Sequence, residues 1–390
     1  MQKTPLGAGS SELNDLPRLE VVILIPDDYA AGGVQRSALN IRDALVAAGI
    51  QVQIRCVKLV GGGHAAQHPC IAAISPARSS RLGFWLQFVL HFRRLMIAQQ
   101  GSVFIALGLT PTVFLSALSC GTRTAGLIGS ERIYPPMETP GLAMRLARRI
   151  FYRRLDFVVV QSALSITWFR DRLRLPMSKL VLIPNVVRGA VPDTAASARV
   201  AAVPEIDCPV VVCIGRLTEQ KGFDYALETF SLIRSNCPGA QMLVVGEGPL
   251  NATLRETAVR LRVADGVAFL PTVKDLGEIW RMADVFFLPS RYEGFPNVLA
   301  EAMAHGVPSV AFDCPTGPSD LIRHGENGFL TDVGDVRAAA DFVIELWENQ
   351  QLRSRIGDRA KEVAVTFSPE IVGDQWLCLV RRVATDHEWN

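Results

Sequence analysis

Pro209-Val210-Val211-Val212-Cys213-Ile214-Gly215-Arg216-Leu217-Thr218-Glu219-Gln220-Lys221-Gly222-Phe223 is the stretch from which the fold is read. Its first six residues form a short apolar run rich in β-branched valine, the pattern of a strand buried on both faces. Gly215 ends the run, and a helical pattern starts near Phe223. A strand passing through a glycine-bounded loop into a helix is the repeating unit of a parallel sheet with crossover helices.

The same alternation extends in both directions. Upstream, strands are expected at Leu19 to Ile25, Gln51 to Val57, Val103 to Leu107, Thr124 to Ile128, Phe157 to Val160 and Leu180 to Ile183, with a helix at Val34 to Ala48 closed by Gly49. Downstream they are expected at Gln241 to Val245, Val267 to Leu270, Val285 to Leu288, Ser309 to Phe312 and Gly328 to Thr331. One helical stretch is read from Ala338 to about Phe367, and a last helix from Glu370 to Thr385. The alanine- and valine-rich segment from Val186 to Asp207 reads as a connection between two such series. The expected architecture is α/β: two doubly wound Rossmann-like domains facing a cleft. The boundaries are 1–188 and 189–369, with the terminal segment 370–390 returning to the first domain.

Composition narrows the function classes. A chain of 390 residues that is 49% apolar and 20% charged is globular, and a net charge of +2 without a basic tail gives nucleic-acid binding no support. The eight cysteines form no Cys-x-x-Cys pair and mostly sit in apolar runs, so they read as reduced core residues of a cytosolic protein. Met1 to Asp15 lacks the apolar core of a secretion signal. Gly101 to Thr122 carries enough uncharged residues to span a bilayer. However, Gly108, Pro111 and Cys120-Gly121 divide it into strand, turn and short helix, so it reads as buried core. His64, His68 and Cys70 lack an evident fourth ligand, and no metal is expected.

Four loops, each following an expected strand, carry the chemistry. Gly215 to Gly222 supplies the cations Arg216 and Lys221 just ahead of a helix N-terminus, an anion site suited to a diphosphate. Gly246-Glu247-Gly248-Pro249 is a tight turn without the dinucleotide fingerprint. Arg291-Tyr292-Glu293-Gly294-Phe295-Pro296-Asn297-Val298-Leu299-Ala300-Glu301 sets two carboxylates eight residues apart, one in the loop and one a turn into a helix. Pro296 suits the first helical turn and Gly306 the stop. That spacing suits a ligand with hydroxyls at two points and phosphate between them. Asp313 to Asp320, with two prolines and a glycine, is a rigid loop whose amides are placed to meet a phosphate or sugar. In the N-terminal half, Gly32 and Gly33 allow close backbone approach to a ligand before the first long helix.

In this order and spacing, the Gly-Gly loop, the Gly-Arg…Lys-Gly loop, the Gly-Glu-Gly-Pro turn, the Glu-x7-Glu segment and Gly325-Glu326-Asn327-Gly328-Phe329 resemble the retaining glycosyltransferases of family 4. The resemblance covers essentially the whole chain, most strongly its second half. It implies the GT-B fold and transfer of a hexose or N-acetylhexosamine from a nucleotide diphosphate sugar, a UDP-sugar, to a hydroxyl, with no cofactor and no metal. It implies that Arg216 and Lys221 hold the donor diphosphate. Glu293 would contact sugar hydroxyls, with the backbone of Gly294, Phe295, Pro296 and Asn297 assisting. Glu301 would bind the ribose, Gly32 and Gly33 would approach the diphosphate, and the base would lie against Pro271 to Val273. Ser130-Glu131-Arg132 stands where many members carry a histidine, so Glu131 and Arg132 are expected to position sugar and acceptor instead. Asp320 stands where glutamate is commoner.

The Ser-Glu-Arg and Asp-Cys-Pro-Thr-Gly-Pro-Ser-Asp segments resemble bacterial enzymes that build lipid-linked oligosaccharides or exopolysaccharides. The implied acceptor is a saccharide or a polyprenyl-diphosphate-linked chain. The implied location is cytoplasmic, peripheral on the inner face of the cytoplasmic membrane. The arginine-studded helix Met144 to Leu155 supplies a surface for anionic lipid, although a solvated helix has the same pattern. Two other classes stay open: a GT-B-fold nucleotide-sugar epimerase, and a nucleotide-sugar-binding protein without catalysis. The absence of Asp-x-Asp argues against the metal-dependent glycosyltransferase fold.

Overall fold

The computed structural model describes residues 19–26, 33–57, 71–74, 81–138, 140–189, 208–273 and 275–388. Gly32, the His64–Cys70 segment and most of the expected connection lie outside these residues. By its internal contacts the chain divides into two compact units. One comprises residues 1–130, 147–157 and 376–390, the other residues 131–146 and 158–375.

Among the described residues, thirteen strands make two sheets. The first sheet contains β1 (Glu20–Ile25), β2 (Gln51–Val57), β3 (Ile71–Ile74), β4 (Val103–Leu107), β5 (Gly126–Ser130), β6 (Phe157–Val160) and β7 (Leu180–Leu182). Its order is β3-β2-β1-β4-β5-β6-β7. The second contains β8 (Val210–Ile214), β9 (Gln241–Val245), β10 (Val267–Leu270), β11 (Val285–Leu288), β12 (Ser309–Phe312) and β13 (Phe329–Thr331), in the order β10-β9-β8-β11-β12-β13. The described pairings, β1 with β2 and β4 and β8 with β9 and β11 among them, are parallel. Both sheets are therefore doubly wound, and each reverses direction beside its first strand, at β1/β4 and at β8/β11. Such reversals open a crevice at the carboxyl ends of the strands.

The apolar runs become strands because both faces of each sheet are covered. In β8, Val211 and Cys213 enter one core cluster with Phe230, Phe287 and Phe312, while Val210 and Val212 enter another with Phe286, Leu299 and Met303. Alternate residues point to opposite faces, so a strand buried on both sides has no polar positions to spare. The uncharged stretch after Gly101 is buried core, as read: β4, a turn at Gly108, and the helix Leu109–Leu118. Its hydroxyls bond within the element, Thr112 Oγ1 to the Gly108 carbonyl at 2.7 Å and Ser116 Oγ to the Thr112 carbonyl at 2.8 Å. Among the described residues no helix is long and apolar enough to cross a membrane.

Four expectations need correction. β3 was not foreseen. β5 lies two residues later than expected, because its register with β4 sets Val103 opposite Gly126 and Leu107 opposite Ser130. The single helical stretch after Ala338 is three helices, Val336–Glu348, Gln350–Ala360 and Glu362–Thr366. Asn349 causes the first break: it ends one helix, and its side chain accepts from Leu352 N at the start of the next, at 3.0 Å. Not all cysteines are core residues either. Cys56, Cys213 and Cys314 are buried, but Cys120 and Cys378 are exposed, and none of the described cysteines is in a disulfide. Enclosure in the β8 core pushes the Cys213 thiol well above its ordinary value.

Candidate functional site

The loops after β8 and β11 are neighbours because their strands pair at the reversal. Gly222 fixes how closely they meet. It has φ +64°, and a Cβ placed there would lie 2.0 Å from the Pro289 carbonyl oxygen, so only glycine fits. This contact places Lys221 under the β11 loop. Its Nζ donates to Glu293 Oε1 at 2.6 Å, with side-chain exposures of 16% and 5%. Ser290 Oγ donates to the same oxygen at 2.7 Å. The backbone completes the junction: Arg291 N donates to the Gln220 carbonyl at 2.8 Å, and Gln220 Nε2 to the Tyr292 carbonyl at 3.0 Å.

The outer side of the same junction carries a second ion pair. Arg291 binds Asp224 through both terminal nitrogens, at 2.8 and 2.6 Å, and Nη1 also reaches the Glu219 carbonyl at 2.9 Å. The guanidinium carbon stands 4.2 Å from the centre of the Tyr225 ring, a cation–π contact. Partial burial of Asp224 opposes its ionisation, but the Arg291 hydrogen bonds and charge outweigh it and hold the carboxyl below its ordinary value.

The β9 and β12 loops close on this centre. Leu217 N donates to the Glu247 carbonyl at 2.9 Å and Gly215 N to the Val245 carbonyl at 3.0 Å. Thr316 Oγ1 donates to the Glu293 carbonyl. Burial first, and then the Glu293 charge, pushes the Cys314 thiol up to about 12, so it stays protonated beside the carboxylate. Asp320 is also raised, by burial.

The helix Asn297–Ala304 follows the β11 loop, with Pro296 just before its first residue rather than inside its first turn, and it stops at Gly306. Glu301 is half-buried on this helix, and its carbonyl accepts from His305 N at 3.1 Å. Phe295 turns inward, edge-on to Phe367 with ring centres 5.9 Å apart, so only its backbone is left for the loop. Asn297 Oδ1 accepts from Asn185 Nδ2 at 2.8 Å. Asn185 Oδ1 in turn accepts from Gln161 Nε2 at 2.6 Å and from Arg132 Nη1 at 2.9 Å. Gly294 is another position where a side chain cannot fit, since a Cβ there would lie 2.0 Å from the Arg132 carbonyl oxygen. All these residues belong to the second unit.

The expected site residues thus do not all fall in one place. Lys221, Glu293, Gly294 and Asn297 converge on the β8/β11 junction. Arg216 lies exposed on the β8 loop, and its guanidinium makes no hydrogen bond or ion pair among the described residues. Glu301 follows on the helix, and Glu131, 3% exposed, sits directly after β5. Val273 is half-buried and packs on an apolar cluster with Leu270 and Leu276, so Pro271 and Thr272 are the exposed members of its loop. Gly33 begins the helix Gly33–Ala47 in the first unit. Sequence reasoning missed Ser290, Gln161, Asn185 and the outer Arg291–Asp224 pair. The partners of Gln161, Asn185 and Arg291 are remote in sequence, and Ser290, three residues from Glu293, is marked only by the turn of the loop that brings the two together.

Residues 208–349 match the family model described as Glycosyl transferases group 1. An exopolysaccharide phosphotransferase of Streptomyces coelicolor is 31% identical over 224 residues, which are 57% of this chain and 23% of that protein. The lipopolysaccharide core biosynthesis glycosyltransferase LpsE of Rhizobium meliloti is 33% identical over 175 residues, 45% of this chain and 50% of LpsE. The matches span 23% and 50% of these relatives' own lengths. Among solved structures, Anabaena HepE in complex with UDP aligns over 93% of this chain and 100% of its own, with TM-score 0.78 and 18% identity. At that identity the likeness is one of fold. The two doubly wound sheets have the fold of the GT-B glycosyltransferase structures, and residues 208–349 are similar in sequence to the Glycosyl transferases group 1 family.

Proposed function

We propose that the protein is a retaining glycosyltransferase of family 4 acting in polysaccharide biosynthesis. It moves a hexose or N-acetylhexosamine from a UDP-sugar to a hydroxyl of a lipid-linked or surface polysaccharide acceptor. The observation that carries this reading is the buried Lys221–Glu293 pair at the β8/β11 reversal, next to the start of the helix Asn297–Ala304. Further support comes from relatives named for exopolysaccharide and lipopolysaccharide core biosynthesis, and from a structural neighbour in complex with UDP.

As the sugar leaves, the diphosphate gains charge and the anomeric carbon gains oxocarbenium character. Arg216, Lys221 and the helix N-terminus stabilise that charge where it develops. The bonds that Glu293 accepts from Lys221 and Ser290 both fall on Oε1, so Oε2 is available to a sugar hydroxyl. Glu301 reads the ribose, and the leaving phosphate takes the acceptor proton on the same face of the sugar.

Arg216→Ala should lower turnover by about 10²–10³ with little change in donor binding, whereas Glu301→Ala should mainly weaken donor binding. Wild-type behaviour in both variants would overturn the assignment. A screen of UDP- and GDP-sugars by binding and hydrolysis fixes base and sugar. Membrane association is part of the reading. The helix Leu142–Phe151 exposes Leu142, Leu146 and Ile150 at four-residue spacing, with Arg145 and Arg149 among them, a pattern suited to an anionic lipid surface. Sedimentation with anionic against zwitterionic vesicles, using Leu146→Glu as the control variant, tests it.

A further inference from the structure

Arg132 is a residue of the second unit whose guanidinium the fold shields from solvent but gives no carboxylate among the described residues. Its Nη1 donates to the Asn185 amide oxygen at 2.9 Å, but Nε and Nη2 are shielded from solvent and have no hydrogen-bond partner among the described residues. No carboxylate among them pairs with it. Burial lowers its pKa to about 10, with no opposing charge to restore it. The guanidinium therefore stays charged at neutral pH in a site that only desolvates it. The residue as a whole is only half-buried, so part of its surface meets solvent.

A buried charge is costly unless it is paired, and a structural arginine normally spends its fork on a carboxylate or on carbonyls. Here the neutral partner takes Nη1 alone. The two unused donors, Nε–H and the adjacent Nη2–H, point in parallel along one edge of the guanidinium, the geometry that grips two coplanar oxygens. The surroundings point the same way. The Arg132 carbonyl lies against Gly294, and Asn185 bridges Arg132 to Asn297, the first residue of the helix whose N-terminus favours an anion.

We propose that Arg132 is a binding residue for an anionic group of the substrate, holding two oxygens of a phosphate or a carboxylate on its Nε–Nη2 edge. That chemistry has two sources: the donor diphosphate, or an acidic group on the sugar. Placing the anion on a glycosyl substrate rests on the proposed function.

The test uses the full-length protein and its Arg132→Met and Arg132→Lys variants. Binding of UDP, UDP-glucose and UDP-glucuronate is measured by calorimetry, and thermal shifts are measured with inorganic pyrophosphate. Loss of about 10- to 100-fold in affinity for all three nucleotides, with lysine restoring only part, assigns the anion as the diphosphate. Loss confined to UDP-glucuronate, down to the level of UDP-glucose, assigns a sugar carboxylate. Unchanged affinities for all three overturn the proposal. If the wild type binds none of the nucleotides, the proposed function fails, and the Arg132 site is read from pyrophosphate alone. A wild-type shift lost in Arg132→Met then supports it, whereas no wild-type shift, or an equal one, overturns it. The ligand-free Tm of Arg132→Met should equal or exceed that of the wild type; a marked drop would make Arg132 a structural residue and overturn the proposal.

Discussion

The β8 and β11 loops are joined by two ion pairs built from the same short segments, and the pairs differ in nearly everything but charge. Lys221–Glu293 is buried, with side chains 16% and 5% exposed; Arg291–Asp224 lies on the rim, at 31% and 46%. The rim pair is bidentate, stacked on Tyr225 and wetted, the arrangement of a surface staple. The inner pair uses a single contact and gives up water on both partners. Stability alone is a poor reason to keep it, because a buried pair often does no better than apolar residues of equal size. The comparison sets an outer contact that staples the loops against an inner one that stability alone does not account for, and the proposed function assigns that inner pair to the ligand.

The sharpest way to break that comparison is Lys221→Met. Turnover should fall by about 10²–10³, and the orphaned Glu293 should cost about 3 kcal/mol of stability. Adding Glu293→Met should return most of the stability and none of the activity, measured by denaturant unfolding and a donor-turnover assay. If the double variant stays unstable, the inner pair is structural after all. Next in size is Gly222→Ala, which forces a methyl into the Pro289 carbonyl at a positive φ. A loss of about 3 kcal/mol is expected, with catalysis impaired although no ligand group is removed.

Glu301→Ala should leave the Tm near wild type and weaken nucleotide-sugar binding by roughly 10-fold or more, read by calorimetry. The smallest effect belongs to the rim. Asp224→Asn should cost no more than about 1 kcal/mol at pH 7, since exposed pairs are screened. The sign follows from linkage. Asp224 has its pKa depressed in the folded state, so its stabilisation is present above the unfolded carboxylate value near ~3.9. It disappears as pH falls through the lower folded value. Urea titrations at neutral and acidic pH should therefore show the gap between wild type and Asp224→Asn closing on acidification. A gap that widens would show that the rim pair stabilises by something other than charge.

Much of the architecture is legible in the sequence because strands buried on both faces have nothing but apolar residues to show. β4, β6, β9, β11 and β12, buried along nearly their whole length, fall at their expected bounds for that reason, and the less buried β2 and β10 do so as well. β3, Ile71–Ile74, has alanine at both its central positions and so lacks the run of β-branched or aromatic residues that marks the other short strands, and the glycines and serine inside Gly126–Ser130 obscure where β5 begins. The long helical reading failed at Asn349, a residue whose capping role depends on how its side chain folds back. The loops of the candidate site were visible one at a time through their glycines and charges. Their connections were not. Lys221 and Glu293 are 72 positions apart, and Asn185 and Asn297 are 112 apart. Only the winding of the sheet makes such residues neighbours.

Asn185 has a consequence of its own. Its amide oxygen receives Arg132 and Gln161 while its amide nitrogen serves Asn297, so all three contacts depend on the group being both acceptor and donor. Exchanging that nitrogen for oxygen would produce aspartate, nearly identical in shape but negatively charged. The arginine would then carry a permanent internal counterion, and the link to Asn297 would lose its donor. A neutral side chain at 185 keeps the guanidinium oriented without satisfying it, and its positive charge remains in reserve for a visiting anion.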